Sequence, residues 1–195
     1  MMQGSTLAAL ALICTALWPC ALMSESLNKG VMDTLFQFTG ADAAPAWPST
    51  NDGVMGGLSQ GGATIVAEGL HFAGTLSLEN NGGFSSVSTD VTFDLSEFEG
   101  VRLKVKGDGR SYQIRFQSDA LYRGRWPVNF GAKFVTTAGE WTEVFVPFAA
   151  LTQSWRGRQL TEYTFNATNI RRIALMLADK QQGPFSLTVA WIAAE

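Results

Sequence analysis

The chain has 195 residues, 46% hydrophobic and 16% charged, a balance that suits one packed domain with at most a tail and excludes a chain disordered over its length. Seventeen acids against fourteen bases give a net charge of −3, and no Lys/Arg run occurs, so nothing is shaped for nucleic acid. One His and two Cys exclude clustered His/Cys metal sites and a disulfide scaffold, and leave His71 as the only base for a Ser-His-Asp triad.

Residues 1–24 carry no charged side chain, and Leu7 to Leu17 is an apolar run. Its length fits the h-region of a signal peptide. It is short for a membrane span, and Pro19 would break one. The expectation is a leader over 1–24 and a periplasmic or secreted domain over 33–195. The lack of Lys or Arg before the run, and a poor cleavage site at Ala21–Met23, leave a membrane anchor or an apolar tail on a cytoplasmic protein as alternatives. Cys14 and Cys20 both lie in this segment, so the domain has no thiol chemistry.

From residue 33 onward the pattern is one of short strands. Leu35–Phe38, Thr64–Ala67 and Leu70–Leu76 come first, the last two joined by the tight-turn pair Glu68-Gly69. Phe84–Phe93 follows. In Val101–Lys106, Val101, Leu103 and Val105 alternate with Arg102, Lys104 and Lys106, and Ser111–Gln117 puts Tyr112, Ile114 and Phe116 on one face. Gly107–Arg110 between them reads as a hairpin loop, with Asp108 a hairpin residue. Asn129–Val135 and Trp141–Phe148 read as a second hairpin through Thr136–Glu140. Ala149–Tyr163 reads as a long irregular loop. Ile173–Leu177 is apolar throughout, as in a strand buried on both faces, and Phe185–Trp191 alternates again. About ten evenly spaced strands and no repeat predict a sandwich or barrel, with Trp141 and Trp191 in the core.

Two Gly-rich segments are unusual: Asn51-Asp52-Gly53-Val54-Met55-Gly56-Gly57-Leu58-Ser59 and Asn80-Asn81-Gly82-Gly83-Phe84-Ser85-Ser86-Val87. Paired glycines allow positive φ and close backbone approach, and Asn and Asp brace such loops. The segments read either as structural turns, with Trp47 and Phe84 plugging the core, or as a recognition surface built from Trp47, Asp52, Met55 and Asn80. Trp155 and Arg156 in the later loop are further surface candidates. A mixed outcome is expected: Asp52 and Asn80 bracing the loops, Met55 exposed.

These strings resemble the signature of the complex I intermediate-associated protein 30 family. Gly107-Asp108-Gly109-Arg110-x-Tyr112, Trp141 before Val146-Pro147-Phe148, and Ala178-Asp179 before Gly183-Pro184-Phe185 agree in order, so that the likeness runs over about residues 35–193. The resemblance implies a galactose-binding-domain-like jelly-roll β-sandwich and a non-catalytic role, best known as assembly of respiratory complex I in mitochondria. The chain reads as a bacterial member. The family usually has a basic residue where Ser88 stands. An exported domain could reach only the outer face of a bacterial complex I, or a different partner.

The residues themselves give catalysis little to work with. His71 reads as a strand residue, and Asp52 with Glu79 is the one carboxylate pair to consider. No phosphate loop, nucleophile elbow or zinc motif occurs. No cofactor or metal is expected, although jelly rolls can hold a structural Ca²⁺, for which Asp42, Asp52 or Asp179 could serve. The leading expectation is a protein-interaction module for a membrane-associated complex. The alternative is a carbohydrate-binding module of an exported protein, with Trp126, Trp155, Tyr122 and Tyr163 as stacking rings.

Overall fold

The computed structural model describes residue 1, residues 32–40 and residues 45–195; the rest of the leader, both cysteines and Asp42 lie outside the described residues. The described residues form fifteen strands: β1 (Asp33–Gln37), β2 (Ser49–Asn51), β3 (Gln60–Val66), β4 (Gly69–Leu76), β5 (Ser85–Phe93), β6 (Gly100–Lys106), β7 (Ser111–Gln117), β8 (Leu121–Tyr122), β9 (Trp126–Pro127), β10 (Asn129–Val135), β11 (Trp141–Pro147), β12 (Thr152–Trp155), β13 (Arg158–Leu160), β14 (Ile170–Leu177) and β15 (Gly183–Ala194). Two antiparallel sheets pack face to face. One runs β11-β6-β15-β4-β3, with β1 also on β15, and the other β13-β12-β10-β7-β14-β5-β2. This is the expected jelly-roll sandwich.

Alternation places the core. Val101, Leu103 and Val105 of β6 face Tyr112, Ile114 and Phe116 of β7 across the interior, all fully buried, while the intervening Arg and Lys side chains turn outward. β15 is long enough to pair with β6 on one side and with β4, then β1, on the other, absorbing a bulge between Val189 and Trp191. His71 sits opposite Thr188 on β15, its Nδ1 3.1 Å from the Thr188 hydroxyl, a satisfied strand residue as expected.

Several expectations need correction. Gly107–Arg110 and Thr136–Glu140 are not hairpin loops. β6 and β11 belong to one sheet, β7 and β10 to the other, so both loops carry the chain across the sandwich. Among the described residues only β3–β4, with Val66 opposite Gly69, and β12–β13, with Trp155 opposite Arg158, are tight hairpins in the two main sheets. The second lies in the stretch read as an irregular loop. Trp141 is 38% exposed because it stands opposite Lys106 on the outer face of its sheet, in the same parity as Glu143, and Lys106 lies over its ring at 5.2 Å. Trp191 is only half-buried. Ile173–Leu177 is not buried on both faces. Ile173, Leu175 and Leu177 are in the core, and Ala174 and Met176 point outward.

Candidate functional site

The first Gly-rich segment folds around its own aspartate. Asp52 begins a 3₁₀ turn, Asp52–Met55, and its side chain is fully buried. The carboxylate accepts from the Ser59 amide at 2.8 Å, the Ser59 hydroxyl, the Gly83 amide at 2.6 Å and the Phe84 amide at 3.2 Å. Burial alone would raise its pKa. The bonds from the Ser59 hydroxyl and from the Gly83, Ser59 and Phe84 amides outweigh that and hold the carboxyl below the usual carboxylate range. One buried side chain therefore ties the two Gly-rich segments together. The glycines are there because of it. A Cβ on Gly57 would stand 2.4 Å from Asp52 Cγ, and one on Gly82 would stand 2.7 Å from Oδ2. Gly56 and Gly83 instead hold positive φ, +90° and +123°.

The neighbouring residues complete the corner. Asn51 donates to the Gly61 carbonyl at 3.0 Å and accepts from the Ser85 hydroxyl at 2.6 Å. Asn80, in the left-handed region at φ 55°, donates to the Gly56 carbonyl at 3.1 Å. Gly53 has open space around a Cβ and no positive φ; nothing in the structure explains a glycine there.

This bracing thrusts Val54 and Met55 into solvent, 73% and 62% exposed. They overhang a cleft of about 550 Å³ on the outer face of the seven-stranded sheet, floored by Arg115 and Met176 and walled by Phe84, with Arg156 and Lys180 at its rim. A second hollow of about 410 Å³, beside Pro45–Pro48, carries no charged residue.

Of the expected surface residues, Met55 and Arg156 meet at this cleft. Trp47 does not reach it. It is a core residue, edge-on to Phe36 and Phe38 at 5.4 and 5.8 Å, and only its indole N–H lacks a partner. Asp52 is a brace, with no free oxygen to offer. Asn80 is exposed but pins the turn from outside the cleft. Phe84, expected in the core, is half-buried at the cleft wall. Trp155 is half-buried and stacked on Tyr122 at 4.7 Å, in a satellite cluster with Trp126 and Tyr163. Arg115, Met176 and Lys180 were missed from sequence. An outward Arg in an alternating strand looks the same whether it faces open water or a cleft.

The later motif pieces form a second brace. Arg110 binds Asp179 through two bonds of 2.9 and 2.7 Å and donates to the carbonyls of Gln181, Gly183 and Pro184. Asp108 accepts from the Arg110 amide, the Tyr112 hydroxyl at 3.0 Å and the Ser186 amide at 2.9 Å. Hydrogen bonding to Asp179 raises the Arg110 pKa. Burial works against Asp179 ionisation, but the Arg110 bond holds its carboxyl low. Burial, then Asp108, pushes Tyr112 up. With Asp52 and Asp179 so committed, neither is free for a cation, and among the described residues no group of three His, Cys, Asp or Glu side chains gathers.

The sequence profile described as complex I intermediate-associated protein 30 matches residues 36–189, a stretch that contains both braces and the whole cleft. The chain belongs to the complex I intermediate-associated protein 30 family. Its relatives in that family include the mitochondrial complex I intermediate-associated protein 30 of Drosophila melanogaster, 24% identical over 86% of this chain and 64% of that protein. The Mus musculus protein of that name is 30% identical over 52% of this chain and 32% of that protein. The matches thus span from about a third to under two thirds of those relatives' own lengths. Among solved structures, the family 11 carbohydrate-binding module of Clostridium thermocellum, in complex with a β-1,3-1,4-mixed-linked tetrasaccharide, superposes with a TM-score of 0.61. It is 15% identical, over 84% of this chain and 94% of that one. A family 30 carbohydrate-binding module gives 0.53 at 14% identity, over 85% and 99%. At such identities the likeness is one of fold.

Proposed function

We propose that this family member is a non-catalytic protein-interaction module that supports assembly or stability of a membrane-associated, respiratory-type complex, and that it docks through the cleft beneath Met55. The carrying observation is the exposure of Val54 and Met55 on a turn tied to the neighbouring segment by a buried carboxylate. An apolar contact held in place before binding loses little entropy on docking. The names of its relatives point to the same class of partner. The non-catalytic part is supported by the fate of the candidate chemistry. Asp52 is sealed by four donated hydrogen bonds, and His71 is engaged with Thr188.

The test is complementation. In a strain lacking the chain, the level of assembled complex on native gels is expected to fall. The wild-type chain should restore it, and Met55→Glu should not, with an unchanged melting temperature. Full restoration by Met55→Glu would refute the assignment of the surface.

The carbohydrate-binding alternative rests on Tyr122, Trp126, Trp155 and Tyr163. Their flat faces are largely taken. Trp155 stacks on Tyr122, and Arg123, Arg125 and Arg156 lie over the rings of Tyr122, Trp126 and Trp155 at 5.3–5.5 Å. Saturable binding to β-glucan oligosaccharides would favour that alternative.

A further inference from the structure

The cleft has a charge of its own. The chain as a whole is net negative, yet the cleft lining includes Arg115, Arg156 and Lys180 and no carboxylate. Arg115 is the telling member. It projects outward from the middle of β7 between Gly131 on β10 and Ala174 on β14. These small neighbours leave a trough for its side chain, and a Cβ on Gly131 would come within 2.9 Å of Arg115 Cγ. In that trough Nη1 meets only the weak acceptor Met176 Sδ at 2.8 Å, and Nη2 donates to Ser154 Oγ at 3.1 Å. Arg102, Arg110 and Arg172 each pair with a carboxylate; among the described residues Arg115 forms no ion pair, and of the arginines without one it alone is not exposed. Burial pushes its guanidinium pKa down, the mark of a charge without its counter-charge. A half-buried guanidinium with no carboxylate beside it is partly stripped of water in the free protein and gains a counter-charge when an anion arrives. At the rim, Arg156 and Lys180 hold positive φ, 47° and 62°, where Gly or Asn would be less strained.

The walls narrow the kind of anion. Val54, Met55, Phe84 and Met176 supply aliphatic and thioether surface with a single aromatic ring, and the only neutral polar side chains in the lining are Thr50 and Asn129. The lining offers a sugar one aromatic ring to stack on and no carboxylate to accept from its hydroxyls, whereas methionines repack around apolar side chains. We infer that the cleft binds an acidic peptide segment of the partner protein, one Asp or Glu carboxylate forking onto Arg115, flanking acids drawn by Arg156 and Lys180, and a neighbouring apolar side chain lodged against Met55 and Phe84. This deepens the docking reading above and rests on it.

Fluorescence anisotropy with a labelled twelve-residue peptide of alternating acidic (Asp, Glu) and apolar (Leu, Phe) residues tests it, against the same peptide with every acid replaced by its amide. The acidic peptide is expected to bind, more weakly as salt rises, and the amide peptide to bind at least tenfold more weakly. Arg115→Leu should weaken binding roughly ten- to hundredfold. Lys180→Glu, a change at an exposed turn that leaves the fold alone, should weaken it roughly tenfold. Arg171→Ala, which removes a charge outside the cleft, should leave it unchanged. Equal binding of the acidic and amide peptides, salt-insensitive binding, or binding of anionic phospholipid vesicles or polygalacturonate without the peptide would overturn the inference. If Met55→Glu abolishes complementation while Lys180→Glu and Arg115→Leu complement fully and no acidic peptide binds, the inference falls and the docking surface stands. If Met55→Glu complements as well, both fall.

Discussion

Gly56 and Gly57 are adjacent and look interchangeable in sequence, yet the structure makes their substitution costs differ in kind. At Gly57 an added methyl would stand 2.4 Å from Asp52 Cγ and 2.5 Å from Oδ1. Because the carboxylate is fully buried and accepts four hydrogen bonds, relief of that clash must drag it from some of its donors. Losing two of the four, at roughly 1.5–3 kcal/mol each, gives about 3–6 kcal/mol for Gly57→Ala. At Gly56 an added methyl meets nothing within 4 Å, and only the φ of +90° resists it, so Gly56→Ala should cost about 1–2 kcal/mol. Thermal unfolding followed by circular dichroism resolves these, since a domain of this size shifts by roughly 2–4 °C per kcal/mol. Asp52→Ala combined with Gly57→Ala should cost less than the sum of the two singles, because both act on the same bonds. A Gly57→Ala protein that melts like the wild type, or a Gly56→Ala protein that melts below the Gly57→Ala protein, would refute the reasoning.

Arg110→Lys should destabilise by roughly 2–4 kcal/mol despite keeping the charge, because a lysine cannot fork onto Asp179 and also reach three carbonyls; urea denaturation measures it. Asp52 and Asp179 both have folded pKa values held below the ordinary ~3.9. Their stabilisation is therefore complete above about pH 5 and is lost as pH falls through 4 toward the folded values, and unfolding free energies at pH 3, 4, 5 and 7 should show that slope, shallower in Asp179→Asn. Trp47→Ala, which empties a core site, should cost roughly 3–5 kcal/mol, whereas Trp141→Ala on the exposed edge strand should stay within about 1 kcal/mol; parallel melts compare them.

Local chemistry determined what the sequence could show unaided. Alternation in Val101–Lys106 and Ser111–Gln117 set which side chains face the core, since a strand's period of two is a property of the backbone. The two Gly-rich strings carried the family and, through it, the sandwich fold. They are legible because the buried Asp52 carboxylate leaves no room for a side chain at Gly57 and Gly82, and Gly56 and Gly83 hold positive φ. Partnership between strands was not legible. Gly107–Arg110 has the turn chemistry of a hairpin, and only the positions of distant β10, β11, β14 and β15 decide that it crosses the sandwich instead. The same holds for tryptophans. Trp47 and Trp141 are equally apolar, and it is the packing of Trp47 between Phe36 and Phe38 against the outward face taken by Trp141 opposite Lys106 that separates them. It holds most for the cleft. Arg115 reads like Arg102 or Lys104, an outward cation in an alternating strand. Gly131, Ala174, Met55 and Phe84 come from four other segments, and closure of the sheet over long sequence separations is what gathers them around it.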